Sequence, residues 1–153
     1  MLIAILRVRG PVKVKKEIEK ALSLMRLTRA NHCVLYNDDK YLQGLLKKSK
    51  DYITWGEISE EVLKKLLVKR GCVYTKENKL ISFKEHFKKD LDKIINDIYS
   101  GKTKVKDLNI KPVFRLKPPS KGYDRQGIKK TYVEGGALGY RKEKINLLLK
   151  RMI

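Results

Sequence analysis

The sequence predicts an α+β fold, on three observations. Three short apolar segments of strand length alternate with two amphipathic helical stretches over residues 1–57. A run of helical periodicity follows over 58–110. Residues 111–153 combine a basic segment rich in proline and glycine with a final helical pattern. Strands and helices that alternate before a helical run give a small sheet layered with helices.

Leu2 to Val8 is almost unbroken apolar sequence, short enough for a strand and apolar enough for the centre of a sheet, and Gly10-Pro11 ends it. Val14, Ile18, Ala21, Leu22 and Met25 then recur at helical spacing, although Lys13 stands where a capping residue is expected. Cys33 to Tyr36 is a second strand, and Asn37-Asp38-Asp39 caps a helix carrying Tyr41, Leu42, Leu45 and Leu46 around Gly44. Tyr52-Ile53-Thr54-Trp55 is β-branched and aromatic, a short third strand. The order β-α-β-α-β suits a small sheet with both helices on one face.

Ser59 is placed to cap a helix with Val62, Leu63, Leu66 and Leu67 on one side and Gly71 as its stop. Cys72 to Leu80 reads as a turn or hairpin. Ser82 with Glu85 matches a capping box, and a stripe from Phe83 through Phe87, Leu91, Ile94 and Ile95 to Ile98 predicts one helix up to Gly101. Residues 111–136 carry three prolines and four glycines, with seven basic side chains against two acidic ones. So few aliphatic residues predict an extended arm without a core, loosely held until a partner orders it. Ile145, Leu148, Leu149 and Met152 restore a helical stripe that should dock on the body.

With 153 residues the chain is long enough to bury a core of its own. Its charge is lopsided: 37 Lys plus Arg against 17 Asp plus Glu, a net +20. Residues 1–56 carry 12 basic and 5 acidic side chains, 57–110 carry 13 and 9, and 111–153 carry 12 and 3. The middle is ordinary helix surface and the two ends are binding surface for an acidic partner, polyphosphate chains first. No apolar run reaches the ~20 residues that cross a bilayer, and the N-terminus lacks the form of a secretion signal. Two cysteines, Cys33 and Cys72, exclude a disulfide scaffold and point to a reduced, cytosolic setting.

Two constellations carry chemistry. Arg115, Lys117, Lys121, Tyr123, Arg125, Lys129, Lys130 and Tyr132 interleave cations and rings on the arm. Cations displace counterions from a phosphate backbone, and rings stack on unpaired bases. The second cluster is Arg7, Arg9, Lys13, Lys15 and Lys16, followed by Arg26, Arg29 and His32. A regular pleat puts Arg7 and Arg9 on one face, and the lysines open a helix whose dipole favours anions. Gly135-Gly136-Ala137-Leu138-Gly139 lacks the Gly-Lys-Ser/Thr ending of a P-loop and suits tight packing or approach to a phosphate backbone instead. His32, Cys33, Cys72 and His86 lack zinc-ligand spacing, and Glu57 and Glu134 lack a catalytic partner. No metal, cofactor, small-molecule substrate or catalysis is expected. Trp55, ending a strand, suits packing first and base stacking second.

Longer strings add a resemblance. Leu6-Arg7-Val8-Arg9-Gly10, Leu27-Thr28-Arg29-Ala30-Asn31-His32-Cys33-Val34 and Asp51-Tyr52-Ile53-Thr54-Trp55-Gly56-Glu57 closely resemble the large-subunit ribosomal protein L-thirty family. So do Pro112 to Pro119, Val133 to Arg141, Ile145-Asn146-Leu147-Leu148 and Arg151-Met152, in the order of the long archaeal form related to eukaryotic L-seven. The resemblance implies a three-stranded antiparallel sheet with two helices on one face, a relative of the ferredoxin-like fold, plus a helical extension and a C-terminal arm. The implied parts are a 1–57 core, a 58–110 extension and a 111–153 arm with a docking helix. It implies a non-enzymatic constituent of the cytoplasmic large ribosomal subunit, with 23S ribosomal RNA and neighbouring subunit proteins as partners. RNA contact carries over only to the Arg9 region, to Arg29-Ala30-Asn31-His32, and to the Arg115–Lys130 arm; Arg141 is a further candidate RNA contact. Lys13 and Lys121 depart from the pattern, standing where a small or capping residue and a glycine are expected. The same charge would also serve a chromatin-like DNA-binding protein, and an RNA-modifying enzyme is the remaining alternative.

Overall fold

The computed structural model describes residues 1–75, 79–87, 90–103, 105 and 107–153. The elements run β1 (Leu2–Arg7), α1 (Lys16–Leu24), β2 (His32–Asn37), α2 (Lys40–Ser49), β3 (Ile53–Glu57), α3 (Glu60–Arg70), β4 (Cys72–Tyr74) and β5 (Leu80–Ser82). They continue with α4 (Phe83–His86), α5 (Leu91–Tyr99), β6 (Val113–Arg115), β7 (Gly139–Tyr140) and α6 (Ile145–Met152).

β1 is the middle strand, antiparallel to β2 and to β3, with Ile5 opposite Val34 on one side and Trp55 on the other. This is the expected three-stranded antiparallel core, and the arm extends it at both edges. β6 adds to β2 with Phe114 opposite Cys33, and β7 adds in parallel to β3 with Thr54 beside Gly139.

β1 lacks polar alternation because both faces of the sheet are covered. Ile3, Ile5, Val34 and Ile53 pack under α1 and α2 with Leu22, Met25, Leu42 and Leu46. Leu2, Ala4, Leu6, Cys33 and Leu35 face the other way, into a core shared with α3, α5 and α6. Each fully buried Leu or Ile here stabilises by about 1.5–3 kcal/mol relative to exposure.

Four expectations are corrected. α1 begins at Lys16, not near Val14, because Lys13 turns the backbone into the left-handed region at φ +54°. The single helix predicted over 82–100 is two: α4 ends at His86, Phe87 leaves helical geometry, and α5 starts after Asp90. The break lets Phe83, which donates its N–H to Gly71 O at 3.0 Å, and Ile95 with Ile98 all reach one core. Residues 88 and 89 of that prediction lie outside the described residues, as do residues 76–78 of the turn or hairpin expected over 72–80. The arm does supply core: Phe114 is fully buried and Leu116 nearly so. A short extended segment needs only one large apolar residue on its inward face to be sewn into a sheet edge, and a composition average conceals that residue. Lastly, the regular pleat expected to carry Arg7 and Arg9 does not continue through them. β1 ends at Arg7, and Val8 N–H and Arg9 N–H both reach Tyr52 O, an irregularity that breaks the pleat.

The C-terminal segment closes the body. Asn146 joins α6 to the β3–α3 junction: its amide donates to Glu57 O at 3.0 Å, and its Oδ1 accepts from Ser59 N–H at 2.9 Å. At Gly56 a Cβ would stand 2.1 Å from Lys142 O, so glycine is required there for β3 to meet the turn before α6.

Candidate nucleic-acid interface

One end of the sheet gathers cations from three distant parts of the chain. The β2–β6 register puts Arg115 directly opposite His32. The turn before β2 carries Arg29, whose carbonyl accepts His32 N–H at 3.3 Å. Burial lowers the His32 pKa, and Arg115, Arg29, Arg7 and Lys111 lower it further. Four cations thus bear on one half-buried imidazole, the local mark of the positive field at this end.

Asn31 is the joint between this cluster and the arm. It lies at φ +63°, its N–H donates to Arg7 O at 2.8 Å, and its carbonyl accepts from Leu116 N–H at 3.1 Å. Its side-chain oxygen accepts the Tyr123 hydroxyl at 3.0 Å. Tyr123 is half-buried between the arm and the body, and burial pushes its phenol pKa up.

The arm is pinned along its length. Lys117 N–H and Ser120 N–H donate to Met152 O and Arg151 O at the end of α6. Lys121 occupies the left-handed region at φ +67°, which accounts for the glycine expected there. Beyond Asp124 the loop folds on itself: Ala137 N–H meets Gly127 O, and Leu138 N–H meets Lys130 O. Gly136 lies so close that a Cβ would stand 2.2 Å from Lys130 O, the tight packing expected of the Gly135–Gly139 string.

Arg141 fixes this loop to the sheet. Its guanidinium donates to Thr54 Oγ1 at 2.9 Å and to Ala137 O at 3.0 Å, pairs with Asp124, and lies 4.5 Å over the Tyr132 ring. With Arg141 held this way, the side chains of Arg125, Lys129 and Lys130 stand exposed on a braced loop.

The sequence-predicted residues fall into three groups. Arg29, Asn31, His32, Arg115 and Tyr123 converge, and Lys117, Lys121, Arg125, Lys129 and Lys130 continue from them along the arm. Lys13, Lys15 and Lys16 are exposed before and at the start of α1, Arg9 lies 4.8 Å over the Tyr52 ring, and Arg26 stands apart beside Tyr36. Arg7 and Arg141 are corrected: only 2% and 3% exposed, they hold protein groups and present nothing to phosphate. Arg7 follows Ile3 and Ile5 onto the side covered by α1 and α2, where it donates to Leu27 O at 2.6 Å and Thr28 O at 3.0 Å. Two contributors were missed. Lys111 acts on His32, and its signal is the extended Pro112–Arg115 run that follows it. Thr54, buried beneath Arg141, gave no signal, because a threonine in a strand is ordinary.

Cys33 and His32, adjacent in sequence, point apart: the thiol is fully buried, and burial pushes its pKa to about 12. Among the described residues no group of three His, Cys, Asp or Glu could hold a metal ion.

Fold and surface together define a strongly basic α+β protein shaped to meet a polyanion. Residues 3–53 match the family model of ribosomal protein L30p/L7e. The large ribosomal subunit protein uL30 of Nanoarchaeum equitans is 47% identical over 153 residues, spanning 99% of each chain. Its counterpart in Methanococcus maripaludis (strain DSM 14266) is 46% identical over 100% of both chains, and that of Thermoplasma volcanium 42% over 99% of this chain and 93% of its own. The chain belongs to the ribosomal protein L30p/L7e family.

Proposed function

We propose that this chain is a structural constituent of the large ribosomal subunit, held there by 23S ribosomal RNA and by neighbouring subunit proteins. The role is architectural and non-enzymatic, and its setting is the cytoplasmic ribosome. The observation that carries the reading is the convergence of Arg29, Arg115 and Lys111 around His32, continuous with the exposed cations of a braced arm. Guanidinium and ammonium groups on rigid supports neutralise phosphates without first losing loop entropy. Recognition is mostly of backbone and shape, because phosphate contacts set position and carry little base information.

Two measurements test this. The native protein should sediment with the large subunit and stay bound at moderate salt. In filter-binding competition, large-subunit RNA fragments should displace it far better than duplex DNA. Equal competition by duplex DNA would favour a chromatin-like role, and turnover of an RNA substrate would favour an enzyme.

A further inference from the structure

A groove of about 1460 Å³ lies between the β3–β7 edge and the 124–135 loop, away from the His32 cluster. That volume exceeds the roughly 300–1,000 Å³ of a pocket for one small molecule, so it suits a length of chain. On its sheet side Trp55 and Tyr140 form a ring pair with centroids 6.3 Å apart and planes tilted by 30°. Tyr140 is 44% exposed yet fixed. Its hydroxyl donates to the Glu57 carboxylate, which pushes the phenol pKa up to about 12, and Trp55 backs the ring. From the loop side comes Val133, 93% exposed.

The charge of the groove separates it from the rest of the surface. Its lining carries five acidic and five basic side chains, on a protein of net charge +20. A channel that tracks phosphates would be cationic throughout. A neutral trough with a preset, exposed ring matches instead the uncharged π-face of a nucleobase, and Lys142 and Lys144 at its margin suit the flanking phosphates.

We propose that this trough receives unpaired RNA bases, stacked on Tyr140, as a second subsite distinct from the phosphate-binding cluster at His32. The proposal rests on the RNA-binding reading above and adds base stacking to it. Tyr140 is the stacking platform, Trp55 supports it, and Glu57 is a positioning residue that holds the ring.

Trp55 is the only tryptophan in the chain, so its fluorescence reports on this groove alone. The probe is an oligoadenylate of about 12 nucleotides, within the site sizes of single-strand binders, offered single-stranded or paired with oligouridylate. The single strand should quench Trp55 and the duplex should not. Tyr140→Ala should weaken single-strand binding about tenfold or more and abolish the quench, whereas Tyr140→Phe, which keeps the ring but loses the Glu57 hydrogen bond, should keep the quench at saturation and bind more weakly than the wild type but more tightly than Tyr140→Ala. Lys129→Ala with Lys130→Ala should lower affinity and salt dependence and leave the quench at saturation intact. Wild-type affinity and quenching in Tyr140→Ala would overturn the assignment. So would equal quenching by the duplex, or quenching by a peptide from a neighbouring subunit protein and not by the oligonucleotide. If salt-dependent RNA binding persists without any quench, the trough assignment alone fails. If no RNA binds in any form, the RNA-binding reading fails with it.

Discussion

The Arg141 guanidinium and the Thr54 hydroxyl meet at 2.9 Å across 87 positions of sequence, both side chains buried. Thr54 passes the link on by donating to Gly139 O at 2.8 Å, while the other end of Arg141 reaches Ala137 O and Asp124. The loop that presents Arg125, Lys129 and Lys130 is thus tied to β3 through one planar fork.

Lysine cannot reproduce that fork, since its ammonium is a point donor without a stacking plane. Arg141→Lys should therefore lower stability by about 1–3 kcal/mol in urea unfolding, the range for buried polar groups left unpaired. Trypsin should then cut faster after Arg125, Lys129 and Lys130. Wild-type stability together with wild-type proteolysis would show that the loop is held by its own turns.

The two faces of the sheet give a matched pair of core tests. Leu22 is buried under α1, and Phe114 is buried on the opposite face by a strand from the arm. Leu22→Ala should cost about 2–5 kcal/mol and Phe114→Ala about 3–5 kcal/mol, read from chemical unfolding. A cost below about 1 kcal/mol at Leu22 would contradict the placement of that helix face, since cavity formation alone exceeds it. At Phe114 the same small cost would mean β6 is not part of the folded body.

Replacing Arg115, Lys117, Arg125, Lys129 and Lys130 together with Ala removes exposed cations and little packing. Thermal unfolding should hardly move. The slope of log affinity for large-subunit RNA against log salt should fall by about four, at 0.7–0.9 per lost phosphate contact. An unaltered slope would place the arm away from the RNA backbone.

His32 supplies a pH signature for binding. Burial and the surrounding cations lower its pKa in the free protein, and a bound phosphate opposes that field and raises it. A pKa higher in the complex than in the free protein means proton uptake on binding, so affinity should rise as pH falls from 7 toward 6. His32→Gln should flatten that rise in a filter-binding series. If the variant keeps the wild-type pH profile, the imidazole does not face the phosphate.

Cys33 gives a second pH signature, in stability rather than in binding. Its thiol is pushed from 9.0 to about 12 by burial, so the unfolded chain ionises first as pH rises. The folded state then binds the extra proton, and stability is full below pH 9 and declines between about 9 and 12. Cys33→Ala should show a shallower decline in urea midpoints across that window. Identical declines would mean the thiol titrates alike in both states.

The order of the first 57 residues, the central place of β1 in its sheet and the docking stripe of α6 were legible in sequence. Each depends on local periodicity, which a burial pattern imposes residue by residue. The cationic ends were legible too, because net charge is a sum that needs no geometry. The break between α4 and α5 was not, since an uninterrupted apolar stripe carries no mark of where two halves must reach different parts of a core. Nor did composition reveal that Phe114 and Gly139-Tyr140 extend the sheet, because strand pairing across some 80 residues is a tertiary event.

The chain by itself determined which residues are charged and which are apolar, and so which partner chemistry is possible. Tertiary structure alone decided which arginines are available to that partner. Arg7 and Arg141 are as basic as Arg29 and Arg115, yet they are spent on backbone carbonyls, a hydroxyl and a carboxylate inside the protein. A buried guanidinium must find acceptors within the fold, and where those acceptors lie depends on contacts too distant in sequence for any local pattern to record.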